Sequence, residues 1–202
     1  MRSVLNLVLC LGILFLMASC AATYKKINPS SLSYPVIEKS NFSYKYNVLK
    51  AAGNRKLAKK EVKRNMQIVA VQLINNTGRP LKYQQNFRIY SGSSEVTLLD
   101  PATAAASIKQ SVPSYLLYLL LTPLRLNIST ETKSSSTPIG LVIGPAIAAG
   151  NMAVAATANK RFRQELIDHS LLEREIQVGE TFRGLIAIYD NGFLPLTVKI
   201  SQ

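Results

Sequence analysis

One histidine, His169, and two cysteines, Cys10 and Cys20, occur among the 202 residues, and this bounds the chemistry that side chains can perform. A single imidazole builds no histidine-based metal cluster and leaves little room for a Ser/His/Asp relay. Its neighbours Asp168 and Ser170 are adjacent on the chain, and adjacent residues on a helix do not face one another. His169 therefore reads as a helix-surface histidine. Asp168 and Asp190 could in principle form a general acid/base pair, the minimum for a hydrolase, but nothing in their spacing brings them together. No glycine-rich phosphate loop follows a strand. The residues thus predict a protein that is not an enzyme, with no cofactor and no metal site; a hydrolase with an unrecognised site is the alternative kept. The side chain that stands out is the Cys20 thiol. It follows Ala18-Ser19 at the end of an almost unbroken apolar run over residues 4–17.

Met1-Arg2, the apolar run and the small residues have the layout of an export signal. The arginine stays on the cytoplasmic side, the run enters the bilayer as a helix, and small residues fit a signal peptidase. The run is short for a permanent span, which needs about 20 apolar residues. Leu16-Met17-Ala18-Ser19-Cys20 is similar to the lipobox of bacterial lipoproteins. That resemblance implies a signal peptide over residues 1–19, a diacylglyceryl group on the Cys20 sulfur, and Cys20 as first residue of the mature chain. Ala21, where aspartate would signal inner-membrane retention, implies the outer membrane. The absence of an acidic cluster over residues 22–26 implies a periplasm-facing protein. The competing reading is ordinary secretion with cleavage after Ala21. Cys10 lies inside the leader, so no pair of cysteines remains for a disulfide in the mature chain.

Residues 20–41, with Pro29, Ser30, Ser31, Ser33 and Pro35, read as a lipid-anchored tether. The formal net charge is +13, and the surplus is concentrated over residues 50–64. There Lys56, Lys59, Lys60, Lys63 and Arg64, with Lys50 and Arg55, face only Glu61. Such a patch attracts anions. Export excludes nucleic acid as the partner, which leaves an anionic membrane surface, another envelope protein, or simply a solvated basic segment.

The body that must position these residues reads as mainly β. Period-two alternation predicts strands over 42–49, 87–90, 95–99, 175–178, 181–189 and 196–200, and branched apolar residues mark 67–75 as a central strand. Turn residues separate them, and no crossover helices alternate with them. This pattern predicts an antiparallel immunoglobulin-like β-sandwich over residues 42–202. Residues 101–174 interrupt it as a helical insertion, making the whole α+β.

Within the insertion, 114–121 is dense in leucine and tyrosine, and 159–173 has the pattern of an amphipathic helix. Between them, 139–158 is 20 residues long and uncharged. Gly140, Gly144 and Ala148 recur every four residues in it, the spacing that lets two backbones approach closely. Three readings compete: a buried partner for 115–121, an element that inserts into or lies on the membrane, and an oligomer or partner interface. The sequence as a whole predicts a non-catalytic, lipid-anchored structural or partner-binding module. A membrane-inserting or membrane-remodelling component using 114–121 and 139–158 is the rival.

Overall fold

The computed structural model describes residues 20–35, 40–129, 134–189 and 192–201. The expected signal peptide over 1–19 and Asp190 lie outside the described residues. The fold is mixed α+β with several antiparallel sheets, divided into two compact units. Among the described residues, unit 1 comprises residues 20–23, 110–129 and 134–158, and unit 2 comprises residues 24–35, 40–109, 159–189 and 192–201.

Unit 2 is built around two three-stranded sheets. In the first, β1 (Phe42–Lys45), β2 (Met66–Ile74) and β9 (Thr181–Tyr189) are antiparallel with β2 in the centre. The registers run from Phe42↔Leu73 to Lys45↔Ala70 and from Met66↔Tyr189 to Ile74↔Thr181. In the second, β4 (Phe87–Ser91) is flanked by β5 (Ser94–Glu95) and β10 (Leu196–Ile200). A short antiparallel pair, β3 (Leu81–Lys82) with β8 (Glu175–Ile176), completes the β structure of this unit. Phe42, Val69, Val71 and Leu73 of the first sheet and Phe87, Ile89 and Leu196 of the second bury their side chains in one core, with Leu81 and Ile176.

The central position of β2 follows from its composition. Six consecutive residues from Met66 are buried, which an alternating half-exposed strand does not achieve. Helices α1 (Val48–Ala51) and α2 (Arg55–Lys63) pack against β2, and α3 (Pro101–Ile108) against β9. Asp100 caps α3, its carboxylate accepting from the Thr103 amide at 2.7 Å.

Several boundaries differ from expectation for identifiable reasons. The strand expected over 42–49 stops at Lys45, because Asn47 adopts a left-handed conformation at φ 57° and Val48 and Leu49 turn inward as the buried face of α1. The strand expected over 95–99 is reduced to Ser94–Glu95.

Unit 1 holds a 3-10 segment, Pro113–Leu121, and an antiparallel hairpin of β6 (Leu126–Ser129) and β7 (Ser134–Thr137). The polar stretch expected only to divide two helices thus contributes a strand. The first part of α4 (Gly140–Asp168) also belongs to unit 1, and the rest of that helix to unit 2. Residues 140–168, read as parts of two helical segments, 139–158 and 159–173, form one helix, and residues 169–173 lie beyond its end. Pro145 sits inside α4, where it removes one backbone donor.

Candidate functional site

The small residues of α4 decide what unit 1 shows to its surroundings. Gly140, Gly144, Ala148 and Ala155 are buried, whereas the larger residues between them are not. A β-carbon at Gly140 would overlap the carbonyl oxygens of Leu121 and Thr122 and lie 2.8 Å from the Leu124 nitrogen. At Gly144 it would lie 3.0 Å from the Tyr118 carbonyl oxygen. The helix backbone therefore rests directly on the backbone of the 3-10 segment, and the Gly140 amide donates to the Leu124 carbonyl at 2.9 Å. Ala148 and Ala155 close over Tyr115 and Tyr118, whose rings stack with centroids 6.5 Å apart.

Backbone-to-backbone packing turns the aliphatic side chains outward. Leu116, Leu117, Leu119, Leu120, Leu124 and Leu126 are exposed, as are Ile128, Leu141, Val142 and Ile143. Leu120 is 75% exposed and Val142 72%. Of the most apolar eighteen-residue stretch of α4, only 22% is buried. A core helix of a soluble domain hides most of such a stretch; here most of it is exposed.

Cys20 is exposed and belongs to the same unit. It is fastened there by its neighbours. The Ala21 amide donates to the Asn151 side-chain oxygen at 2.6 Å, the Ala22 amide to Gln110 Oε1 at 3.0 Å, and Gln110 Nε2 to the Ala22 carbonyl at 2.6 Å. Ala21 packs on the Tyr115/Tyr118 cluster.

The segment expected to be a free tether is thus held from its first residues, and it stays held in unit 2. There the Lys25 amide donates to Asn54 Oδ1 at 2.9 Å, and Asn54 Nδ2 donates to the Lys25 carbonyl at 2.7 Å. Tyr24 and Ile27 are buried. The Tyr24 hydroxyl and the amides of Ile27 and Asn28 all donate to the Glu165 carboxylate, at 2.7, 3.0 and 2.8 Å. Side chains of α4 and its surroundings satisfy backbone donors that a tether would leave to water.

The basic residues differ in exposure. Lys59, Lys63 and Arg64 are exposed, Lys56 and Lys60 half-buried. The Lys60 ammonium donates to the Lys109 carbonyl. Burial, and then the nearby charges of Arg64, Lys63 and Lys109, hold its pKa below the ordinary lysine value. Lys50, Arg55 and Lys59 instead border a groove with Glu61.

Glu61 is 5% exposed. Its Oε1 accepts the Ile68 amide at 2.7 Å, yet burial outweighs that bond and pushes the carboxyl up from 4.5 to about 7. The folded chain therefore keeps a proton that the unfolded chain releases. This contribution to stability is complete below pH 4.5 and is lost as pH rises through about 7. The loss amounts to about 3 kcal/mol. Urea unfolding at pH 5 and pH 8 is expected to show this fall in the wild type and a much flatter profile in Glu61→Gln. Equal slopes in both proteins would sink the assignment.

His169 sits at the end of α4, where its carbonyl accepts the Leu185 amide at 2.7 Å. The Asp168 carboxylate accepts from Gln164 at 2.7 Å, and the Ser170 hydroxyl accepts the Leu172 amide at 3.1 Å. The Asp168 and Ser170 side chains thus have local structural partners, and His169 is tied in through its backbone carbonyl. Among the described residues no group of three or more His, Cys, Asp or Glu is placed to hold a metal ion. Comparison of the chain with models of known protein families, with curated proteins and with solved structures finds no match.

Proposed function

We propose that this chain is a non-catalytic lipoprotein of the bacterial outer membrane, anchored by acylated Cys20 and facing the periplasm, in which unit 1 lies against the bilayer. In unit 2 we read the two three-stranded sheets over their shared core as an immunoglobulin-like sandwich serving as the structural or partner-binding module. The observation that carries the membrane reading is the union, in one unit, of Cys20 with the exposed aliphatic surface.

A thioether-linked diacylglyceryl group sits at the boundary between headgroups and acyl chains. Ala21 and Ala22 are hydrogen-bonded to Asn151 and Gln110, so unit 1 cannot stand away from that boundary. Its half-exposed leucines and isoleucines then gain on the order of 1 kcal/mol each by entering the acyl region. Arg125 is exposed between Leu124 and Leu126, where its stem can lie along the apolar surface while the guanidinium reaches the headgroups. The hydroxyl-rich β7, exposed throughout, suits the headgroup layer. Each exposed residue is replaceable without touching the core, which makes the reading testable.

The wild type is expected to carry a diacylglyceryl mass and to float with lipid vesicles. Cys20→Ala, produced without residues 1–19 so that no uncleaved leader can anchor it, should lose the mass and retain part of the flotation. Adding Leu117→Asp and Leu120→Asp should abolish what remains while circular dichroism stays unchanged. A wild type without the acyl mass overturns the anchor; residual flotation indifferent to the two aspartates overturns the apolar contact.

A further inference from the structure

The groove beside α2 has a volume of about 360 Å³, within the range of small-molecule sites. Its lining combines three chemistries. Lys50, Arg55 and Lys59 supply cations; Glu61 and Gln67, 5% and 6% exposed, supply a carboxyl and an amide; Phe193, 46% exposed, supplies a ring. We propose that this groove binds an anionic saccharide, its hydroxyls held by Glu61 and Gln67, its charged group by Lys50, Arg55 and Lys59, and one sugar face laid on Phe193.

The polar pair argues against an acyl chain, which would leave a buried carboxyl and amide facing hydrocarbon. The aromatic ring is superfluous for a bare anion. A sugar ring uses all three features, because it offers adjacent hydroxyls on its rim and C–H bonds on its face.

The ring is also held in place. Phe193 has φ 49°, a left-handed conformation that costs a bulky residue of order 1 kcal/mol or more and persists only where surroundings enforce it. Tyr46 meets Phe193 edge-on with centroids 5.3 Å apart, and its hydroxyl donates to the Leu194 carbonyl at 2.8 Å. Glu61, poised near neutrality, can both donate to and accept from a hydroxyl. Without tryptophan in the chain, this ring is a stacking surface that the basic residues alone did not reveal.

The test is isothermal titration of the full chain in detergent micelles with glucuronate, glucose 6-phosphate, glucose and inorganic phosphate. Binding of an anionic sugar is expected with Kd on the order of 1 mM, and about tenfold weaker binding of glucose and of phosphate. Tighter binding of glucuronate assigns a carboxylated ligand; tighter binding of glucose 6-phosphate assigns a phosphorylated one. Lys59→Glu should weaken the preferred sugar at least tenfold, and Lys63→Glu, outside the groove, should leave it unchanged. Phosphate or glucose binding as tightly as the anionic sugars, equal binding by Lys59→Glu, or no sugar binding at all overturns the proposal.

Discussion

Gly140→Val is expected to unfold or dislodge the packing of unit 1, with loss of about 3 kcal/mol of local stability or more. The new β-carbon would overlap the Leu121 and Thr122 carbonyl oxygens. These are backbone atoms that cannot rotate away as a flexible side chain would, so the helix must separate from the 3-10 segment. Separation also breaks the Gly140 to Leu124 hydrogen bond. Gly144→Ala should cost less, about 1 kcal/mol, because its nearest contact is 3.0 Å and a small shift relieves it. Gly150 supplies the control, since nothing lies within 4 Å of its added β-carbon. Gly150→Ala is expected to stabilise α4 by about 0.5–1 kcal/mol. Hydrogen exchange of the amides over 140–155 reads all three changes. Protection unchanged in Gly140→Val would refute the backbone contact, and equal losses in all three variants would show a general intolerance of this helix to side chains.

The four-residue spacing of Gly140, Gly144 and Ala148 was legible in the sequence, because close approach needs small residues at helical period. What they approach was narrowed only to a choice among a buried partner, a membrane and another chain. The structure sets the glycines against 118–124 and leaves the large residues outside, so the helix has one face buried on the 3-10 segment and one aliphatic face exposed. Strand β2 was legible for a different reason: branched apolar residues on both faces need a central place, and β1 and β9 flank it. The bounds of β9 and β10 followed from alternation and flanking turns.

Local pattern failed where a distant side chain decided the outcome. Nothing in 20–35 announces that Glu165 binds Tyr24 across 141 residues, and serine and proline there have the composition of a free linker. Nor does a run of lysines reveal which of them share a groove with Gln67 and Phe193. That depends on how α2 lies on β2 and where the chain places Phe193. Continuity of α4 through Pro145 was likewise hidden. Proline argues for a break by propensity, and packing of the small-residue face offsets the lost donor.

Glu165→Ala is expected to cost unit 2 about 3–4 kcal/mol, more than any exposed carboxylate would. The carboxylate is 6% exposed and accepts three donors: the Tyr24 hydroxyl and the amides of Ile27 and Asn28. Removing it leaves these groups buried or half-buried without their acceptor, each at a cost of about 1–3 kcal/mol that is not additive. Burial, then the hydrogen bond to Glu165, already holds the Tyr24 hydroxyl well above the ordinary tyrosine pKa, so it remains a donor at any physiological pH. Tyr24→Phe should therefore lose only one bond, about 1 kcal/mol, and keep the ring against Phe162, whose centroid is 5.4 Å away. Glu165→Gln retains a carbonyl acceptor and should fall between the two. Thermal unfolding gives the order, and hydrogen exchange gives the cause: amides of residues 25–28 should lose protection in Glu165→Ala while those of β2 keep theirs. The distinction matters because a merely hydrophobic attachment through Tyr24 and Ile27 would survive the alanine. If exchange over 25–28 is unchanged, the segment is held by its apolar side chains; if it rises selectively, the carboxylate clamp holds the chain in place.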